Sequence, residues 1–243
     1  MMMFEQICKA YIKKDLEFRG SFEMLSKYIS FSMVRGGLED SHAKRGYKHF
    51  CFSGFRQKKD EISYKAGETY EFVIRSFDES FLDSLAKALR ENIDNPCMLV
   101  VQTTKKKLKQ YFISELYSAT PVIVSCKDTD SEHSYFWTVE KNGDIMQLQK
   151  QLHDNLEKKY QTYFGEKLKA EQNFIQLLEL KNRVPQNIEI QKEGKKIRFF
   201  GNKFRIIPNE DELSQKLAFT ALACGLGEKN SYGGGFLLGK GIR

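Results

Sequence analysis

The largely apolar run from Phe4 to Ile12 predicts a first strand, and Ser21 then opens a stripe of Phe22, Leu25, Ile29 and Met33 spaced for one face of a helix. The stripe stops at Gly36-Gly37, and Leu38 to Gly46 is a polar, glycine-bounded loop. The aromatic run Lys48 to Ser53 has strand composition, and Tyr70, Phe72 and Ile74 alternate in a further strand. Asp78 then caps a helix whose apolar face is Phe81, Leu82, Leu85, Leu89 and Ile93, and Cys97 to Val101 closes the set. The order βαββαβ is that of a ferredoxin-like unit, as in RNA-recognition folds.

The second half repeats that order. Strands are predicted near Lys109–Tyr117 and Ser134–Val139, followed by a helix from Asp144 to Phe164 on Ile145, Leu148, Leu152, Leu156, Tyr160 and Tyr163. Phe174–Leu180, Ile188–Gln191, Lys196–Phe200 and Phe204–Ile207 read as strands, with Glu193-Gly194 as a turn between the second and third. A helix from Asn209 to Cys224 and a short strand at Gly235–Leu238 complete the pattern. The expected fold is therefore α+β, two tandem ferredoxin-like domains with a C-terminal glycine-rich loop. The boundary is placed near Thr120-Pro121, giving domains of residues 1–120 and 121–243.

Composition narrows the class. With 41% hydrophobic and 29% charged residues, 4 Pro and 17 Gly among 243, the chain is neither collagen-like, disordered nor a disulfide scaffold. No apolar run reaches the roughly 20 residues needed to cross a bilayer. Glu5, Lys9, Lys13 and Lys14 interrupt the start, where a signal peptide keeps an apolar core. The expectation is a cytoplasmic protein with no membrane partner. Cys8, Cys51, Cys97, Cys126 and Cys224 form no CxxC pair, so they read as reduced, mostly buried thiols, and neither a metal nor a cofactor is expected. A net charge of +7 favours a polyanionic partner.

Three constellations carry candidate chemistry. From Gly225 to Phe236 the chain reads Gly-Leu-Gly, five residues including Lys229, then Gly-Gly-Gly-Phe. Glycine admits positive φ and close backbone approach, so loop amides and Lys229 are placed to hold a phosphate, the candidate binding residues being Gly225, Gly227, Lys229, Gly233 and Gly235. The alternative is a helix cap at Gly225 with a loose tail, which a single glycine would satisfy. Gly234 to Lys240 matches GxxxxGK, but Gly241 replaces the required Ser/Thr, and the Gly225–Asn230 stretch lacks the third glycine of a dinucleotide turn. The second constellation is Tyr28, His42 and Lys48. Cutting RNA without a metal needs a base for the 2′-hydroxyl, an acid for the leaving 5′-oxygen and a cation for the phosphorane, and these residue types supply them. Lys44, Arg45 and Lys48 would favour a neutral His42, although a loop histidine taken alone is usually a solvated side chain. His49 reads as lying inside a strand, His133 in a polar turn and His153 on the exposed side of a helix. The third is basic charge among aromatics, Lys192 to Arg205, from which Arg198, Lys203 and Arg205 are taken as RNA-binding candidates opposed locally only by Glu193. Strand alternation alone also yields this pattern. Lys105 to Lys109 reads as a solvated hairpin end.

The terminal glycine pattern, together with His42-Ala43-Lys44-Arg45-Gly46-Tyr47-Lys48-His49-Phe50-Cys51-Phe52-Ser53, resembles the CRISPR repeat-processing endoribonucleases of the repeat-associated mysterious protein superfamily. Gly234 stands where that pattern usually has an apolar residue. The resemblance implies tandem ferredoxin-like domains and metal-independent cutting of precursor CRISPR RNA within each repeat. The ends implied are a 2′,3′-cyclic phosphate and a 5′-hydroxyl, and the Tyr/His/Lys site implied is Tyr28, His42 and Lys48. The partners implied are repeat RNA, with a CRISPR effector complex and a second copy of the chain as further candidates. The other reading is a non-catalytic RNA-binding subunit of an effector complex, with the same folds and glycine loop.

Overall fold

The computed structural model describes residues 1–39, 46–58, 61–127, 134–141, 143–168 and 172–242. The first unit runs β1 (Met2–Ile12), β2 (Leu16–Glu17), α1 (Ser21–Arg35), β3 (Phe50–Phe52), β4 (Ser63–Tyr64), β5 (Thr69–Ser76), α2 (Glu79–Glu91) and β6 (Met98–Lys109). The second runs β7 (Phe112–Ser118), β8 (Ser125–Lys127), β9 (Ser134–Phe136), α3 (Ile145–Phe164), β10 (Ile175–Leu180), β11 (Gln186–Lys192), β12 (Lys195–Gly201), β13 (Phe204–Pro208), α4 (Glu212–Cys224) and β14 (Leu237–Ile242).

Two four-stranded antiparallel sheets carry the architecture, in the orders β3-β5-β1-β6 and β10-β13-β7-β14. In each, the strands lie second, third, first, fourth within their own βαββαβ unit, so the tandem ferredoxin-like arrangement is present. The hairpins β8–β9 and β11–β12 are insertions between core elements of the second unit. Divided by sheet membership, the units separate at Gln110-Tyr111 and not at Thr120-Pro121, because β7 pairs with β13 and β14. β6 runs on to Lys109, past the predicted end at Val101, and β7 begins at Phe112.

Local chemistry accounts for the elements. Asp78, Asp144 and Asp211 cap α2, α3 and α4 by accepting from the amides of Phe81, Gln147 and Ser214. On β1, Phe4, Cys8, Ala10 and Ile12 point into the first core with Leu25, Ile29, Leu82 and Leu85 from the helices. Ile93 falls beyond α2 and is 59% exposed, so it is not part of that helix's packed face. α4 is buried along nearly its whole length, and Ala218, Ala221 and Ala223 let it lie against both sheets at once. Arg75 of β5 donates to Leu237 O at 2.6 Å and sits 4.4 Å over the Phe236 ring, joining the units across the same seam. All five cysteines are free thiols, four of them buried. Among the described residues no helix is long and apolar enough to cross a membrane.

Candidate active site

The chain enters β3 through Gly46 to His49, where His49 has φ 51, outside the range most L-residues adopt. This entry faces the loop that follows α4, and the two segments with α3 enclose a cleft of about 380 Å³ lined by Tyr47, Lys48, Asn155, Lys159, Glu228 and Lys229 among others. The two motifs, separated by most of the sequence, thus share one cleft. Lys48 is half-buried, and loss of hydration lowers its pKa, while burial raises that of the Tyr47 phenol. Asn155 Nδ2 donates to the Tyr47 hydroxyl at 3.4 Å, and Asn155 Oδ1 is buried without a partner among the described residues. His42 lies outside the described residues.

The glycine loop is a packed structure and not a loose tail. Gly225, Gly227, Gly233 and Gly235 are buried, and the amides of Gly225, Gly233 and Gly235 already donate to Ala221 O, Asn230 O and Pro121 O. Glycine is dictated by crowding: at Gly227 a Cβ would fall 2.5 Å from Ile123 O, and at Gly235 it would fall 1.9 Å from Leu226 O. The amides of Gly225, Gly233 and Gly235 are therefore taken up within the protein and not offered to a phosphate. What the loop offers to the cleft is its tip, Lys229 to Tyr232. Lys229 Nζ lies 5.4 Å over the Phe199 ring, which packs 5.4 Å from the Tyr232 ring, and Ser231 O accepts from Ser26 Oγ of α1 at 3.1 Å.

Lys159 of α3 holds this loop from beneath, donating to Gly225 O at 2.7 Å, Gly227 O at 2.7 Å and Asn230 Oδ1 at 2.8 Å. Burial lowers its pKa to about 8. The sequence reading missed it. The available signal was a lysine three residues after Leu156, inside the arc that carries Leu152, Leu156, Tyr160 and Tyr163.

Tyr28 stands elsewhere. It is 0% exposed, its hydroxyl lies 2.7 Å from Leu89 O and 3.1 Å from Asn92 O, and it accepts from Val100 N at 3.1 Å. Burial pushes its pKa up to about 12. The helical position that resembles a family tyrosine here faces the core, pinning α2 and β6. Tyr28→Phe is therefore expected to lower stability by about 1–3 kcal/mol, the cost of leaving buried backbone groups unpaired. Cleavage by the folded variant should stay at the wild-type rate, read by chemical denaturation alongside single-turnover kinetics. A large rate loss at unchanged stability would return Tyr28 to the chemistry.

His49 and His153 differ from expectation as well. His49 precedes β3 instead of lying inside it, and its Nε2 is 2.8 Å from Thr162 Oγ1. His153 is buried, with Nδ1 accepting from Phe174 N at 3.1 Å, so it is on the packed side of α3. His133 lies outside the described residues.

The basic strands are not brought to the cleft. Arg198 is paired with Glu189 at 2.9 Å, and Arg205 with Glu115 and Glu179, acids supplied by neighbouring strands that local sequence does not reveal. Lys203 is half-buried and lines a separate groove of about 1,090 Å³ between the units, with Arg19, Arg56, Arg75 and Lys106. Lys105, Lys106 and Lys107 lie within β6, opposite Gln6, Glu5 and Phe4, and Lys105 bridges Glu79 and Asp83. This basic run is thus strand and not hairpin end. Among the described residues no group of His, Cys, Asp and Glu is placed to hold a metal ion.

Comparison with known proteins agrees with the fold. A curated relative, CRISPR-associated endoribonuclease Cas6 2 of Methanocaldococcus jannaschii, is 26% identical over 234 residues, covering 89% of this chain and 93% of that protein. Of solved structures, a CRISPR associated protein Cas6 superposes with a TM-score of 0.71 at 18% identity over 98% of this chain and 99% of its own. An RAMP protein binding different RNA substrates gives 0.68 at 15% identity, with the same two coverages. Residues 102–238, more than half the chain, match the family model for the C-terminal part of CRISPR associated protein Cas6, and the chain belongs to that family.

Proposed function

We propose that this chain is an endoribonuclease that cuts precursor CRISPR RNA within its repeats. The observation that carries the reading is the meeting of the Lys48 segment and the glycine-loop tip on one cleft walled by the cations Lys48 and Lys229. In this reading His42 removes the 2′-hydroxyl proton, the 2′-oxygen attacks the adjacent phosphorus and the 5′-oxygen leaves with a proton. The products end in a 2′,3′-cyclic phosphate and a 5′-hydroxyl. Lys48 neutralises the charge that builds on the phosphorane, where a partly desolvated cation acts more strongly than in water. Tyr47, whose raised pKa keeps its phenol protonated, lines the cleft and replaces Tyr28 as the tyrosine at hand. Lys229 and the loop tip hold the neighbouring backbone phosphates. The reaction is placed in the cytoplasm on repeat transcript, with an effector complex and a second copy of the chain as further candidate partners.

Incubation of the purified chain with repeat RNA in EDTA tests this directly. Cutting at one position per repeat is expected, and a substrate with a 2′-deoxy sugar just upstream of that position should bind yet stay intact, since the attacking oxygen is missing. Cleavage of the deoxy substrate overturns the mechanism. Binding without any cleavage of all-ribose repeat RNA selects the non-catalytic subunit instead.

A further inference from the structure

We infer that Lys159 is the positioning residue of the cleft: by donating to three oxygens of the glycine loop, it fixes the tip in the form that repeat RNA recognises. This rests on the reading that the cleft binds repeat RNA. All three ammonium protons are committed, to Gly225 O, Gly227 O and Asn230 Oδ1, so one side chain spans both ends of the turn that presents Lys229. Asn230 relays the hold, because its Nδ2 donates to Gly234 O at 2.8 Å and to Leu226 O at 3.3 Å. Two buried carbonyls and the half-buried Asn230 Oδ1 therefore depend on one group. Methionine matches lysine in length but donates nothing, and the acceptors it leaves bare would seek other partners by rearranging the loop.

The same geometry makes the loop sensitive to proton loss. A neutral amine has two protons for three acceptors, so one contact is lost when Lys159 deprotonates. Burial lowers the pKa of Lys159 to about 8, within an accessible range. The titratable groups facing it are Tyr47 ahead of β3, Cys51 on β3, Cys224 at the end of α4 and Glu228 in the loop. Burial raises both thiols, Cys51 to about 12, and the Tyr47 phenol, so these three stay neutral between pH 7 and 9. The Glu228 carboxylate is engaged with Ser125 N and Oγ. Lys48 shares the cleft and also has a lowered pKa, so it must be separated experimentally. The sign follows from linkage: if RNA selects the ammonium-held loop, binding raises the pKa of Lys159, and affinity falls as pH climbs through the free protein's value, with a slope of at most one proton.

The test measures affinity for the 2′-deoxy repeat RNA from pH 6.5 to 9 for wild type, Lys159→Met and Lys48→Met, beside NMR of the protein labelled with ¹⁵Nζ-lysine. Wild-type affinity is expected to fall about tenfold between pH 7 and 9. Lys48→Met should keep that slope, while Lys159→Met should bind at least tenfold more weakly at pH 7 with a flat profile. In the spectrum, RNA should raise the titration midpoint of the ammonium signal that is absent from Lys159→Met. Wild-type affinity in Lys159→Met, a flat wild-type profile, or a midpoint unmoved by RNA overturns the inference. If Lys159→Met does not fold, the midpoint in the wild-type chain decides. Absence of repeat binding by the wild type at pH 7 removes the functional reading and this inference together, whereas pH-independent binding removes only the role of Lys159.

Discussion

Replacing His42 with alanine is expected to lower single-turnover cleavage of repeat RNA by roughly 10²–10⁴-fold while leaving affinity nearly unchanged, the effect of removing a general base. Binding and chemistry separate because the affinity sources, Lys229 and the loop tip, are held by α3 and by packing on Phe199. Lys48→Ala should also slow cleavage at saturating protein, through loss of the cation that meets the phosphorane. The measurement is the cleavage rate with protein in excess over RNA, so that weakened binding does not enter. A His42→Ala rate within about threefold of wild type is too small for a lost base and moves that role to Tyr47 or His49 at the entry to β3.

Gly235→Ala should produce a large loss of stability for a single-methyl change. Its Cβ would lie 1.9 Å from Leu226 O and 2.9 Å from Leu226 C, backbone atoms that cannot swing aside, at φ 66. Leu226 N also donates to Gly235 O at 2.9 Å, so the clash pries apart the two ends of the turn. A cost on the order of 3 kcal/mol is expected, from backbone strain together with displaced hydrogen bonds. For a chain of this size that is a melting-temperature drop of roughly 6–12 °C. Repeat affinity should fall with it. Gly194→Ala is the comparison: φ is 74 in the β11–β12 turn, but nothing lies within 4 Å of its Cβ, so only the cost of positive φ, about 1 kcal/mol, is expected. Equal losses at the two sites would show that crowding at Gly235 plays no part.

Much of the fold was legible because its helices are amphipathic and capped. Asp78 and Asp144 announced α2 and α3, and the βαββαβ order followed from period alone. Strand ends were less legible, since pairing partners set them: β14 begins at Leu237 and runs to Ile242 because β7 is there to receive it. The glycine loop announced itself by composition, yet its glycines answer to Pro121, Ile123 and Leu226, contacts no local pattern displays. Tyr28 illustrates the opposite limit: a position beside a helix stripe does not reveal whether a tyrosine's hydroxyl meets solvent or the backbone of a neighbouring helix. Arg198 and Arg205 looked like free charge because Glu189, Glu115 and Glu179 sit on other strands.

The cleft draws one wall from Tyr47 to Phe50 and the other from Gly227 to Tyr232, so its halves are made at very different times during translation. Some 175 residues separate Phe50 from Gly225. At about 5–20 residues per second, the ribosome needs roughly 10–35 s to supply the second wall after the first has emerged. The first unit, whose sheet is complete once β6 is made, has that interval in which to fold, but α4 and the loop that cover the β3 side of it arrive last. A half-made chain therefore presents Lys48 with no opposing tip. The cleft is whole only once α4 and the loop after it have docked across the seam.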